Sequence, residues 1–146
     1  MSVVLVINGP NLNRLGARDP ALYGDKTLDE INGMVASRAK ALGLEPIFFQ
    51  SNSEGALIDL IQSHREAAGI VINPGALTHC GHSLREALVD TGLPVIEVHL
   101  SHIHAREEWR RVSVIAPVCR AQISGLGWRG YLHALEALAD MLKERA

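Results

Sequence analysis

"VVLVINGPNLN", residues 3–13, decides how this chain is read. Val3, Val4, Leu5, Val6 and Ile7 are apolar without interruption, and all but Leu5 are β-branched. A run this short and continuous marks a strand buried on both faces, as in a parallel sheet. It ends abruptly at Asn8-Gly9-Pro10, and the chain then turns polar, with no further strand or helix pattern until about Thr27. That connection is long, since links within compact domains are usually about 4–6 residues.

Working outward, the same alternation repeats. Thr27-Leu28-Asp29-Glu30 fits a capping box, and Leu28, Ile31, Val35 and Leu42 follow at helical spacing until Gly43 supplies a stop. "PIFFQ" (46–50) reads as a second strand, and "EGALIDLIQSHREAAG" as a helix carrying Leu57, Ile58, Leu60 and Ile61. "GIVINPG" (69–75) is a third strand, followed by a helix through Leu84, Ala87 and Leu88 that stops near Gly92 and Pro94. "PVIEVHL" is a fourth strand. Either "VSVIAPV" or "RAQISG" supplies a fifth, and "YLHALEALADMLKER" closes the chain as an amphipathic helix. Short apolar strands alternating with helices predict a parallel sheet covered on both faces. Five such units predict an α/β, flavodoxin-like three-layer sandwich over residues 1–146 as one domain. Strand order 2-1-3-4-5 is the natural choice, although the pattern alone leaves it open.

Composition narrows the function. Of 146 residues, 47% are hydrophobic and 21% charged, with a net charge of −2, so nothing global points to nucleic acid or an anionic membrane. No apolar stretch approaches the ~18 residues of a membrane span. Two cysteines, no CxxC and no signal-like leader together predict a cytoplasmic protein. Seven histidines raise the question of zinc, but "THCGH" and "HLSHIH" match no established zinc spacing and HExxH is absent. The Lys-Ser/Thr of a P-loop is missing, and no GxGxxG follows the first strand, which weakens nucleotide binding.

Ligands of open α/β sheets bind outside the carboxyl ends of the strands. Three such ends hold most of the unusual polar residues: "NGPNLN", "NPGALTHCGH" and "EVHLSHIHAREEWRR". Glu97 and His99 are two apart on a strand and share a side, so the carboxylate can fix the imidazole tautomer and prepare an acid or base. Ser101 and its neighbouring amides can bind an anion or simply make a turn. Asn73 can bind a ligand or satisfy its own Asn-Pro-Gly turn, Thr78 can be only an N-cap, and His79 opens the following helix. In "AREEWRR", helical spacing would put Arg106 and Arg110 on one face; Arg106 reads as structural, and Arg110 is open. In the long loop, Arg18 stands five residues before Tyr23. A phenol of ordinary pKa is a poor base at pH 7, and ionising it needs about 4 kcal/mol. A guanidinium beside it supplies help of that kind, whereas an isolated loop tyrosine is more simply a packing anchor.

Taken together, "INGPNLNRLG…YG", "NPGALTH", "EVHLS", "HAREEWRR" and "GLGWRGY" closely resemble the type II 3-dehydroquinate dehydratases, collinearly and over nearly the whole chain. The resemblance implies a flavodoxin-like fold and dehydration of 3-dehydroquinate in the shikimate pathway, with no cofactor. By it, Tyr23 is the base at C2, Arg18 its partner, His99 the acid at the C1 hydroxyl and Glu97 its orienter. Asn11 stabilises the enolate; Asn73, Leu100 and Ser101 hold the carboxylate; His79 and Arg110 read the ring hydroxyls. An acidic residue from a neighbouring subunit corresponds to Glu86, where Asp is commoner, and the assembly implied is a homododecamer, a tetramer of trimers. No Schiff-base lysine is implied. A non-catalytic binding module or a zinc hydrolase would be the readings from other classes.

Overall fold

The structure, a computed structural model, describes residues 1–145. Five parallel strands form one sheet: β1 (Ser2–Asn8), β2 (Leu44–Gln50), β3 (Gly69–Asn73), β4 (Val95–His99) and β5 (Ala121–Ser124), in the order β2-β1-β3-β4-β5. The expected order is the observed one. The helices are α1 (Pro20–Tyr23), α2 (Leu28–Ala41), α3 (Glu54–Ser63), α4 (His82–Thr91) and α5 (Arg129–Arg145).

The period-2 geometry of a strand splits β1 between two cores. Val4 and Val6 join Ile31, Val35 and Ala39 of α2 and Leu135 and Leu138 of α5 on one face. Leu5 and Ile7 join Leu57 and Ile61 of α3 and Leu84 and Leu88 of α4 on the other. All four strand residues are 0–1% exposed, which is why the sequence shows no polar alternation there. Helix starts follow the expected chemistry. The Thr27 and Glu30 side chains cap each other's backbone at α2, and Ser53 Oγ accepts from Ala56 N at α3.

One open choice is settled, and two expectations need correction. The fifth strand is the "RAQISG" alternative; "VSVIAPV" is irregular with a 3₁₀ turn at Ala116–Val118. Ser113 Oγ accepts from the amides of Ile115 and Ala116, and Val114 N donates to Thr78 O, so amides a strand would need are already taken. Helix α3 stops at Ser63, whose hydroxyl turns back onto Leu60 O, and the chain turns at Arg65-Glu66 before β3 begins at Gly69. "AREEWRR" is no α-helix; it is split between 3₁₀ turns at Ile103–Ala105 and Glu108–Arg111.

Strands β1 and β3 end in mirrored tripeptides, Asn8-Gly9-Pro10 and Asn73-Pro74-Gly75, that lock into each other. Asn8 and Asn73 are register partners, and Gly9 N donates to Asn73 O at 2.8 Å. A Cβ on Gly9 would collide with the Pro74 carbonyl, and one on Gly75, where φ is +60°, would lie 2.8 Å from the Pro10 oxygen. Only glycine permits this approach. It sets the floor on which the long loop and the β3 turn meet.

Candidate active site

At the carboxyl ends of β1, β3 and β4 lies a cavity of about 150 Å³. Every residue to which the resemblance gives a role lines it, except Glu97 and Glu86. Clefts of about 490 and 530 Å³ elsewhere are larger, but neither gathers these strand ends.

The long loop over the cavity is anchored, not freely solvated: Leu12 and Leu15 are buried in the core at 2% and 4% exposure. Asp19 caps α1 by accepting from Ala21 N at 3.0 Å, with Pro20 at the first helical position. That single turn brings Tyr23 back toward Arg18. Arg18 Nη2 donates to the Tyr23 hydroxyl at 3.0 Å, and the same guanidinium stacks 3.9 Å from the ring centre. The Tyr23 ring also packs at the edge of the core, so the packing role and the cavity position coexist in one side chain.

On β4, His99 Nε2 faces Glu97 Oε2 at 2.7 Å, both side chains being buried. Glu97 does not rely on His99 alone. Its two oxygens also accept from Gln122 Nε2 and from Ser113 Oγ. Burial pushes its carboxyl up, but the hydrogen bond and charge of His99, then the bonds from Gln122 and Ser113, outweigh burial and hold it below the ordinary carboxylate value. With Nε2 committed to Glu97, Nδ1 is the ring nitrogen left for a ligand.

Among the described residues, Asn11 is the one non-glycine held at positive φ, 70°, and its N–H donates to Asn52 Oδ1 at 3.0 Å. Asn tolerates this conformation better than most residues, and it turns the residue into the cavity lining. Asn73 does satisfy its own turn, accepting from Gly75 N at 3.2 Å, yet it also lines the cavity. Among the described residues, the backbone N–H groups of Leu100 and Ser101 find no protein acceptor, a pair of adjacent donors at a strand end suited to a carboxylate. His79 Nδ1 donates to the Val112 carbonyl at 2.7 Å, which leaves Nε2 for a ligand hydroxyl. Arg110 Nε is held by Glu107 at 2.7 Å while its guanidinium stacks on Trp109.

Other placements differ from expectation. Thr78 and His79 lie in a 3₁₀ turn (Gly75–His79), so Thr78 is no N-cap; α4 is capped by Gly81, and the Leu84 amide is taken by the Glu54 carboxylate. Glu86 is exposed on α4, away from the cavity of its own chain. Arg106, read as structural, lines the cavity. Its side chain is 11% exposed, Nη1 donates to Ser101 Oγ, and its guanidinium lies 5.3 Å from the Tyr23 ring centre. Its buried Nε has no hydrogen-bond partner. Gln122 also escapes the sequence reading. It is the register partner of Glu97, so a firm choice of fifth strand would have found it. Among the described residues, no three His, Cys, Asp or Glu side chains gather as metal ligands.

The sequence profile described as "Dehydroquinase class II" matches residues 2–139. The chain belongs to that family. Its relatives include a 3-dehydroquinate dehydratase of Roseiflexus castenholzii, 58% identical over 92% of this chain and 87% of the relative. Another, from Halothermothrix orenii, is 52% identical over 99% and 98% of the two chains. The crystal structure of a type II dehydroquinase from Butyrivibrio crossotus superposes with a TM-score of 0.92 at 44% identity, covering 94% of this chain and 97% of that one. The flavodoxin-like sheet expected from the sequence is thus the fold of the class II dehydroquinases. No helix among the described residues is long and apolar enough to cross a membrane.

Proposed function

We propose that this chain is a carbon–oxygen lyase that dehydrates 3-dehydroquinate to 3-dehydroshikimate, reversibly, in the shikimate pathway, by anti elimination through an enolate. One observation carries this reading: a guanidinium-bonded phenol and a carboxylate-bonded imidazole open into the same strand-end cavity. The names of the relatives, 3-dehydroquinate dehydratases, support the substrate.

In this mechanism Tyr23, as phenolate, takes the proton from C2 beside the ketone, and the electron pair moves onto the carbonyl oxygen. Arg18 holds the phenolate, and Arg106 adds a second cation beside the ring. Charge developing on oxygen needs donors already in place, and Asn11 supplies one with an ordered water. His99, oriented by Glu97, then gives a proton to the C1 hydroxyl, which leaves as water while the enolate collapses to the conjugated enone. The proton on Tyr23 returns to His99 through solvent, closing the cycle. Asn73 and the amides of Leu100 and Ser101 hold the carboxylate; His79 and Arg110 meet the ring hydroxyls. No metal or organic cofactor is used. The loop between β1 and α2 serves as a lid that opens for substrate.

We also propose a cytoplasmic homododecamer, a tetramer of trimers, in which Glu86 from a neighbouring subunit completes the site. Its exposure on α4, outside its own cavity, supports this. Sedimentation tests the assembly. The activity is tested by adding 3-dehydroquinate and following the ultraviolet absorbance of the enone. His99→Ala separates the two steps: proton exchange at C2 should survive better than water loss, and equal damage to both would remove His99 from the role of acid.

A further inference from the structure

Tyr131, near the start of α5, is 1% exposed and lies outside the cavity lining. Its hydroxyl donates to Asn8 Oδ1 at 2.5 Å and accepts from Asn73 Nδ2 at 3.0 Å. On the other side of the Asn73 amide, the Gly75 N–H donates to Oδ1 at 3.2 Å. Each link runs in one direction only. A backbone N–H cannot accept, so Asn73 must turn its oxygen to Gly75 and its NH₂ to the phenol. The phenol receives that hydrogen and gives its single proton to Asn8. Burial pushes its ionisation far above the ordinary phenol range, against a smaller opposing effect of the Asn73 hydrogen bond, so the hydroxyl keeps its proton near neutral pH.

Asn73 is only 3% exposed, and its remaining Nδ2 hydrogen is the one left for the cavity it lines. We propose that Tyr131 is a positioning residue for substrate binding: its hydroxyl fixes the Asn73 amide so that this hydrogen meets the substrate carboxylate. The inference rests on the reading in which Asn73 holds that carboxylate. Without the phenol only the 3.2 Å bond from Gly75 N holds the amide, so its NH₂ end swings more widely and the donor aimed at the ligand is in place only part of the time.

The test is steady-state kinetics with 3-dehydroquinate on Tyr131→Phe, Asn73→Ala and the double variant, each with a thermal melt. Tyr131→Phe should raise KM about tenfold while kcat falls less than about threefold, the mark of a lost binding contact. The double variant should be no worse than Asn73→Ala, because both changes remove the same donor. If Asn73→Ala leaves KM unchanged, the carboxylate reading of Asn73 fails and takes this inference with it. If Asn73→Ala raises KM while Tyr131→Phe does not, or if the two effects add, only the role of Tyr131 is overturned. Should Tyr131→Phe not fold, Asn8→Ala reads the same chain, since it removes the acceptor that orients the phenol. A KM rise supports the inference there, and an unchanged KM overturns it.

Discussion

Arg18 binds Tyr23 twice, once through a 3.0 Å hydrogen bond to the hydroxyl and once by stacking its guanidinium 3.9 Å from the ring centre. Both contacts come from residues of the one connection between β1 and α2, five positions apart, so the pair is built within a single segment. A planar fork can donate to the oxygen and cover the ring at once; an ammonium cannot.

Arg18→Lys should therefore behave nearly as badly as Arg18→Met. Each is expected to lower kcat by about 10²–10⁴, the usual contribution of general acid–base chemistry. The melting temperature should scarcely change, because the side chain is half-exposed on a loop. Tyr23→Phe belongs to the same experiment and should be at least as damaging. An active Arg18→Lys would show that a point charge suffices.

Arg106 offers a second cation 5.3 Å from the same ring, with one buried nitrogen, Nε, that makes no hydrogen bond and lies 3.9 Å from Glu107 Oε1. Arg106→Met should reduce kcat/KM by about 10–100-fold, the equivalent of one charge-assisted hydrogen bond of about 1.5–3 kcal/mol. Enone formation measured beside a thermal melt separates the possibilities. Full activity in a protein that melts several degrees lower would return Arg106 to a purely structural role.

Glu97 links the site to stability. Its carboxyl is held below the unfolded value, so its contribution is present above that value and is lost as pH falls through the folded one. The acid limb of a denaturation profile, below about pH 4.3, should thus include one proton taken up by Glu97. Glu97→Gln should flatten that limb by this proton. It should also lower stability at pH 7 by about 1–3 kcal/mol, since an amide cannot accept from His99, Gln122 and Ser113 together. An unchanged acid limb in the variant would show that Glu97 does not titrate on unfolding.

Much of the sheet was legible because burial on both faces leaves an uninterrupted signal, as in Val4 to Ile7 and Ile70 to Ile72. Edge strands carry less of it. Strand β5 is four residues long and none of them is fully buried, whereas Ile115, in the competing segment, is 0% exposed. Apolar content therefore could not choose between the two candidates, and the Ser113 side chain decided against "VSVIAPV" locally. The Glu97–His99 contact followed from strand periodicity alone. The positions of Arg106 and Tyr131 did not, because one depends on the path of two 3₁₀ turns and the other on where α5 crosses the sheet.

The interlocked Gly9 and Gly75 give the sharpest separation of backbone from side-chain effects. A methyl group on Gly9 must push against the Pro74 carbonyl, which is backbone and has no rotamer to yield. Gly9→Ala should cost about 1–3 kcal/mol as overpacking does. Its damage to turnover should exceed that, because Asn11 and Asn73 sit within two residues of the clashing pair, and a misplacement of about 1 Å can lower a rate by ~10²-fold. Gly33 is the control. It lies within α2, where a Cβ would meet no atom within 4 Å, so Gly33→Ala should add about 0.5–1 kcal/mol of stability and leave turnover alone. Chemical denaturation and enone assays on the two variants decide it. A Gly9→Ala protein that melts and turns over like the parent would mean that the two strand ends can part without disturbing the site.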